Sequence, residues 1–236
     1  MLDVSSPIGP AATLVAEAGL VAAAAVFRVL QPRISPRYAA AVNVGGALAC
    51  VAVAHRLGAT NDDLGVHPRR VVRGVLTGAA AATLIGATVA GAYALPATRA
   101  HFDGHVDDPS LRATLREVLV SIPFGTALSE ELIFRGAIHG LSARRFGPIG
   151  ALATDVVLFG LWHLGDHGAA RNALPEERHP ALAAVGTVVA TGLAGAGFSG
   201  LRMWSGSVLA PILAHDALNV SGYLAARQRT IRNHDS

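Results

Sequence analysis

The sequence predicts an all-α protein of the membrane, a polytopic helical bundle of about seven transmembrane helices, and three observations carry that reading. Charged residues make up only 15% of the 236 residues and apolar ones 52%, whereas soluble domains carry roughly 25% charge. Apolar runs long enough to cross a bilayer core recur along the chain. Two of those runs repeat Gly or Ala at four-residue spacing, the pattern that lets membrane helices approach backbone to backbone.

In chain order, Ala11 to Leu30 is the first expected span. Arg28 near its end can snorkel to the interface, while Glu17 inside it should face the bundle. Without this span the count falls to about six. Gln31 to Arg37 reads as a turn, Tyr38 to Leu57 as the second span, and Gly58 to Arg70 as a polar connector. Val71 to Leu95 is the third span, with Gly74, Gly78, Ala82, Gly86 and Ala90 in one stripe, and Pro96 ends it. The loop from Ala97 to Ser110 alternates His101, Asp103, His105, Asp107 and Asp108. Nothing fixes its geometry, so it reads as a solvated acidic loop and not as a chelate. Leu115 to Leu141 is the fourth span, kinked by Pro123, with Arg144 and Arg145 at its exit. Pro148 to Leu164 is the fifth, bearing Asp155 and His163. After a polar segment from Gly165 to Pro180 comes the sixth, Ala181 to Leu201, with Gly192, Ala196 and Gly200 as a second stripe. Gly206 to Ala226 is the seventh, carrying His215, Asp216 and Asn219, and an arginine-rich tail follows. Residues 1–236 read as a single integral-membrane domain whose motif-bearing core is about 110–226.

Composition excludes several classes. All nineteen basic side chains are arginine, but the net charge is only +3 and the arginines sit at the ends of apolar runs, where membrane edges place them. That argues against a nucleic-acid partner. Cys50 is the only cysteine, which removes an internal disulfide and a cysteine-based zinc site. The N-terminus lacks the basic region of a signal peptide and reads as the first span. Arginine counts on the two sides do not choose an orientation.

The chemistry concentrates in Ser129-Glu130-Glu131-Leu132-Ile133-Phe134-Arg135. A lone charge at bilayer depth costs about 2.5–3.5 kcal/mol on insertion scales, so three ionisable groups within one span need partners or a task. Glu131 and Arg135 are one helical turn apart and can pair. Glu130 is rotated by roughly 100° and has no such cation. A carboxylate without a counter-charge suits a general base. Glu130 lies about 21 Å along a helix from Arg144, and His163 about 22 Å from Pro148, so antiparallel helices bring them to one level. His215 and Asn219, four apart on the seventh span, share a helix face. A tilt or a deeper start of that helix is needed for His215, about 13 Å along it, to meet them.

Glu130-Glu131-x-x-x-Arg135, Phe159-x-x-x-His163 and His215-x-x-x-Asn219 together resemble the three motifs of the CPBP intramembrane endopeptidases. That family comprises the CAAX prenyl proteases and the bacteriocin-processing or immunity (Abi) proteins. The resemblance implies a helical bundle around a polar intramembrane cavity. It implies hydrolysis of peptide bonds in membrane-associated substrates, with Glu130 and His163 activating water. His215 and Asn219 would hold the oxyanion, and Glu131 with Arg135 would support the motif helix. It implies an integral membrane protein, here of a bacterial plasma membrane, with a peptide or membrane-protein substrate. No cofactor is expected; a zinc ion, if one is used, would fall to Glu130, His163 and His215, since there is no HExxH and only His163 with His167 stands at local ligand spacing. Two other classes remain open at this point: a non-catalytic immunity or partner-binding protein of the same fold, and a small transporter using a Glu/His relay, against which the absence of an inverted repeat speaks.

Overall fold

A computed structural model describes residues 18–19, 21–22, 26, 34–102, 106–164 and 180–234. The described residues are helices, turns and connectors, with no strand among them. The expected first span, Glu17, Asp103, His105, His167 and most of the polar segment after His163 lie outside them, wholly or for the greater part.

Helix α1 is Pro36–Arg56, begun by its own N-terminal proline and ending in His55 and Arg56, which suit the negative end of the helix dipole. A 3-10 turn, Pro68–Arg70, leads into α2, Val71–Ala94. Leu95 takes an extended backbone before Pro96, as the residue before a proline prefers. The fourth expected span becomes α3 (111–146), capped by the Ser110 side chain accepting from the Ala113 N–H. Most of it is not α-helical. Glu117–Leu128 and Leu132–Ile138 are π-helical, and only Ser129–Glu131 between them is α. Pro123 lies within the first π stretch. Gly147, at φ 71° and ψ 178°, turns the chain into α4 (148–162). Helix α5 is Pro180–Ser205 and α6 is Leu209–His234. The seventh span therefore begins later than Gly206, because Gly206 (φ 72°) makes the turn, and the arginine-rich tail continues the same helix.

Among the described residues three helices are long and apolar enough to cross a membrane: Pro36–Arg56, Pro68–Ala94 and Ala181–Ser205. Their outer faces carry large apolar side chains exposed on the molecule, among them Leu48, Leu76, Leu84, Val189 and Leu193. In water such a surface would be a liability; in a bilayer it is the solvent-facing side. The core instead gathers on α3, where Leu132, Ile133, Phe134, Ala137, Ile138 and Leu141 are all buried against α1, Phe159 and Phe198.

Glycine decides which helices touch. A Cβ at Gly74 would lie 2.5 Å from Ser207 Oγ and one at Gly78 2.9 Å from the Ala210 backbone, so α2 and α6 meet there. Further along the expected stripe the contact opens: a Cβ at Gly86 would meet nothing within 4 Å, and with Ala90 it lines a crevice between α2 and α6. On α5 the packed face is rotated from the expected one. Gly192 and Gly195 are buried against α4 and Arg135, while Gly200 is exposed and touches nothing. Residues three and four apart share a helix face, so Gly192, Gly195 and Ser199 form the inner line.

Candidate active site

The two glutamates sit in the short α stretch Ser129–Glu131 between two π-helical ones, where the rotation of about 100° per residue separates them, and π turns inside helices frequently mark functional positions. Two polar side chains hold the first of these stretches: Asn43 donates to the Gly125 carbonyl (2.7 Å), and Ser129 Oγ donates to the same oxygen (2.8 Å).

Glu131 lies on the closed side. Arg135 Nη1 donates to its Oε1 at 3.1 Å, with both side chains fully buried, as the one-turn spacing predicts. The same oxygen takes His215 Nδ1 at 2.8 Å. The remaining nitrogens of Arg135 are also engaged, Nη2 with the Gly195 carbonyl (2.9 Å) and Nε with Ser199 Oγ (3.3 Å). Its guanidinium carbon stands 4.1 Å from the centre of the Phe159 ring, where the ring quadrupole favours a cation. Helix α5 thus contributes a carbonyl and a hydroxyl to an arginine that belongs to α3.

Glu130 lies on the open side. Trp162 Nε1 donates to its Oε1 at 3.1 Å, while Oε2 is buried and has no hydrogen-bond partner. His163 Nε2 stands 4.0 Å from that Oε2, too far for a direct hydrogen bond. The other ring nitrogen is committed: His163 Nδ1 lies 2.8 Å from the Phe159 carbonyl. A carbonyl only accepts, so Nδ1 carries a proton and the neutral ring presents its lone pair at Nε2. Glu130 and His163 therefore face each other as two acceptors across a gap of one bridging water's size.

Phe159 holds the two sides apart. Its ring lies 4.6 Å from that of His163 and 5.9 Å from that of His215, and Phe198 stacks on His215 at 4.8 Å and 20°. Asn219, one turn beyond His215 on α6, is half-buried and has no hydrogen-bond partner among the described residues.

Every site residue expected from the sequence is described. Glu130 meets His163, and Glu131 meets Arg135, as expected; His215 meets Glu131 rather than Glu130. Nor does the conditional zinc set assemble: no group of three His, Cys, Asp or Glu side chains among the described residues converges on a metal position. Trp162, Phe198 and Ser199 join the site without a motif in the sequence to mark them, and Asp155 is fully buried, with hydrogen bonds to His139 and Ser199. Only for Asp155 and His139 did the sequence hold a signal, an ionisable residue within an apolar run.

Residues 113–221 match the family described as type II CAAX prenyl endopeptidase, Rce1-like. The matched stretch contains Glu130, Glu131, Arg135, His163, His215 and Asn219. No curated protein and no solved structure matches the chain.

Proposed function

We propose, from the match of residues 113–221 to the Rce1-like type II CAAX prenyl endopeptidase family, that the chain is a member of that family and an intramembrane endopeptidase cleaving peptides or proteins held at the membrane. The observation that carries the proposal is the pair of acceptors, Glu130 Oε2 without a partner and His163 Nε2 at 4.0 Å from it.

A water between these two atoms donates a hydrogen bond to each, and its oxygen lone pair is left for attack on a peptide carbonyl. As the bond forms, the water proton passes to Glu130, the general base, while His163 orients the nucleophile. The oxyanion of the tetrahedral intermediate is received by Asn219 Nδ2 and His215 Nε2. His215 Nδ1 already donates to Glu131, so donation from Nε2 uses the doubly protonated ring, with Glu131 as its counter-charge. Collapse of the intermediate breaks the C–N bond, and the proton held on Glu130 goes to the departing amine. The result is one carboxylic acid and one amine, with the water consumed.

In this reading the carboxylate and imidazole suffice, and the reaction uses no metal. What supports that choice is the commitment of His215 to Glu131, away from Glu130 and His163. Purified protein in detergent is to be tested against a panel of membrane-associated peptides, prenylated and unprenylated, beside Glu130→Gln. Cleavage by wild type and none by a folded Glu130→Gln is the expected result. Equal turnover by the two overturns the proposal, and a folded wild type that binds peptides without cutting any points to a partner-binding protein. Metal analysis of the same active sample tests the second point: stoichiometric zinc, with activity lost to a chelator and restored by zinc, overturns the metal-free route.

A further inference from the structure

Behind Arg135 lies a second carboxylate that the proposed reaction does not use. Asp155, on α4, is fully buried, and its Oδ2 accepts from Ser199 Oγ at 2.7 Å and meets His139 Nδ1 at 2.7 Å. We infer that Asp155 and Ser199 are positioning residues for His215, acting through Arg135 and Glu131; the inference rests on the peptidase reading for its kinetic consequence only.

The direction of each bond is forced by chemistry. Arg135 Nε can only donate, so Ser199 Oγ accepts from it and must spend its own proton on Asp155. Arg135 Nη1 then donates to Glu131 Oε1, and that one oxygen also takes His215 Nδ1. The route from Asp155 to His215 is thus a single file in which no link is duplicated. Glu131 Oε2 and Asp155 Oδ1 are both buried without partners, so each carboxylate is held through one oxygen only, Glu131 by Arg135 and His215 and Asp155 by Ser199 and His139. Of the three guanidinium nitrogens, Nη2 is fixed by the Gly195 carbonyl, Nη1 by Glu131, and Nε by Ser199 alone. Removing the Ser199 hydroxyl frees the one edge that α5 holds by a side chain, and the atom on which His215 leans moves with it. Histidine stacked at 4.8 Å on Phe198 has its ring plane set, so the effect is expected at the Nδ1 bond.

The test uses full-length Ser199→Ala and Asp155→Asn in detergent, each with two readouts. One is kcat and KM on a cleaved peptide. The other is the ¹⁵N signal of the His215 ring in histidine-labelled protein, assigned by its loss in His215→Gln. Expected are a fall in kcat on the order of tenfold with KM unchanged, and displaced His215 Nδ1 signals while the other histidine rings outside the network stay put. A merely structural role would lower thermal stability and leave both readouts where they were. If Asp155→Asn does not fold, Ser199→Ala, which loses one hydroxyl, decides. A folded Ser199→Ala with wild-type kcat or with an unmoved His215 signal overturns the inference. Should the wild type cut no peptide, the proposed function falls, and the ring signals alone still decide whether the network reaches His215.

Discussion

Glu130 and Glu131 are chain neighbours in opposite surroundings. Around Glu131 the protein is closed: the side chain is fully buried and one oxygen holds both an arginine and a histidine. Around Glu130 it is open: the side chain keeps 13% of its surface, takes one hydrogen bond from an indole and faces a second acceptor across 4.0 Å. Each carboxylate keeps one oxygen without a partner, but Glu131 Oε2 is sealed in a fully buried side chain, whereas Glu130 Oε2 faces the His163 ring on a side chain that is still partly exposed. The difference teaches that two carboxylates of one type are set apart by their surroundings, one closed around its ion pair and one open toward a second acceptor.

The comparison can be broken first on its open side. His163→Ala should lower kcat about 10²–10⁴-fold, close to the effect of Glu130→Gln. The double variant should be little worse than either single one, since the two act on the same water. Additive losses in a full double-mutant cycle would show that they do not share it. On the closed side the expected damage is to the fold. Arg135→Met strands the buried Glu131 carboxylate, and breaking a buried pair costs about 3–5 kcal/mol. Reduced yield and a lowered unfolding temperature should accompany its lost activity, whereas Glu130→Gln should keep the wild-type unfolding temperature.

Next in size come the groups that reach from the closed side into the open one. Asn219→Ala, which loses no hydrogen bond among the described residues, should reduce kcat about 10²–10³-fold with little loss of stability. His215→Ala should show the same kinetic loss together with a lowered unfolding temperature, because it also leaves Glu131 short of a donor. Equal stability of these two variants would blur the distinction between the sides.

The smallest effect lies outside the membrane-crossing helices, at Asp63. Burial pushes its carboxyl up, but the Thr60 N–H and hydroxyl and the Arg144 guanidinium outweigh that and hold it below the usual carboxylate range. Because its folded-state value is depressed, its contribution is complete above the unfolded value of about 3.9 and is lost as the pH falls through the folded one. Unfolding temperatures followed downward from pH 5 should therefore drop less steeply for Asp63→Asn than for wild type below about pH 4. Parallel acid limbs would remove Asp63 as a contributor.

Much of this was legible in the sequence, and the reasons for the rest are physical. Glu131 with Arg135 follows from helical spacing, and the meeting of Glu130 with His163 follows from counting residues inward from Arg144 and Pro148. Depth arithmetic assumes an α rise, however, and 117–128 and 132–138 are π-helical, so it fixes a level and not a facing. That is why His215 could be expected near the glutamates without a choice between them. Small-residue stripes announced close helix contact correctly at Gly74 and Gly78, but a four-residue repeat drifts around a helix of about 3.6 residues per turn. By Gly86 on α2 and Gly200 on α5 the stripe has left the contact. Ser199 carries no signal of its own in the chain, since its importance comes from Asp155 and Arg135, 44 and 64 residues away.

Arg202 extends the argument to how such a chain is inserted. Its guanidinium donates to the Asp62, Asp63 and Arg135 carbonyls, and it lies where a Cβ on Gly65 would be, 2.3 Å from Nε. An arginine at the end of an apolar run is the kind of charge that is counted when a hydrophobic segment is oriented in a bilayer. After folding it is buried and bound to main-chain carbonyls, a tie rod between α5, α3 and the connector before α2. A cation whose place in the sequence would suit the edge of a bilayer thus serves the folded protein as a strut. Replacing it by a neutral residue would disturb orientation and assembly at separate moments, which pulse labelling of nascent chains can resolve in time.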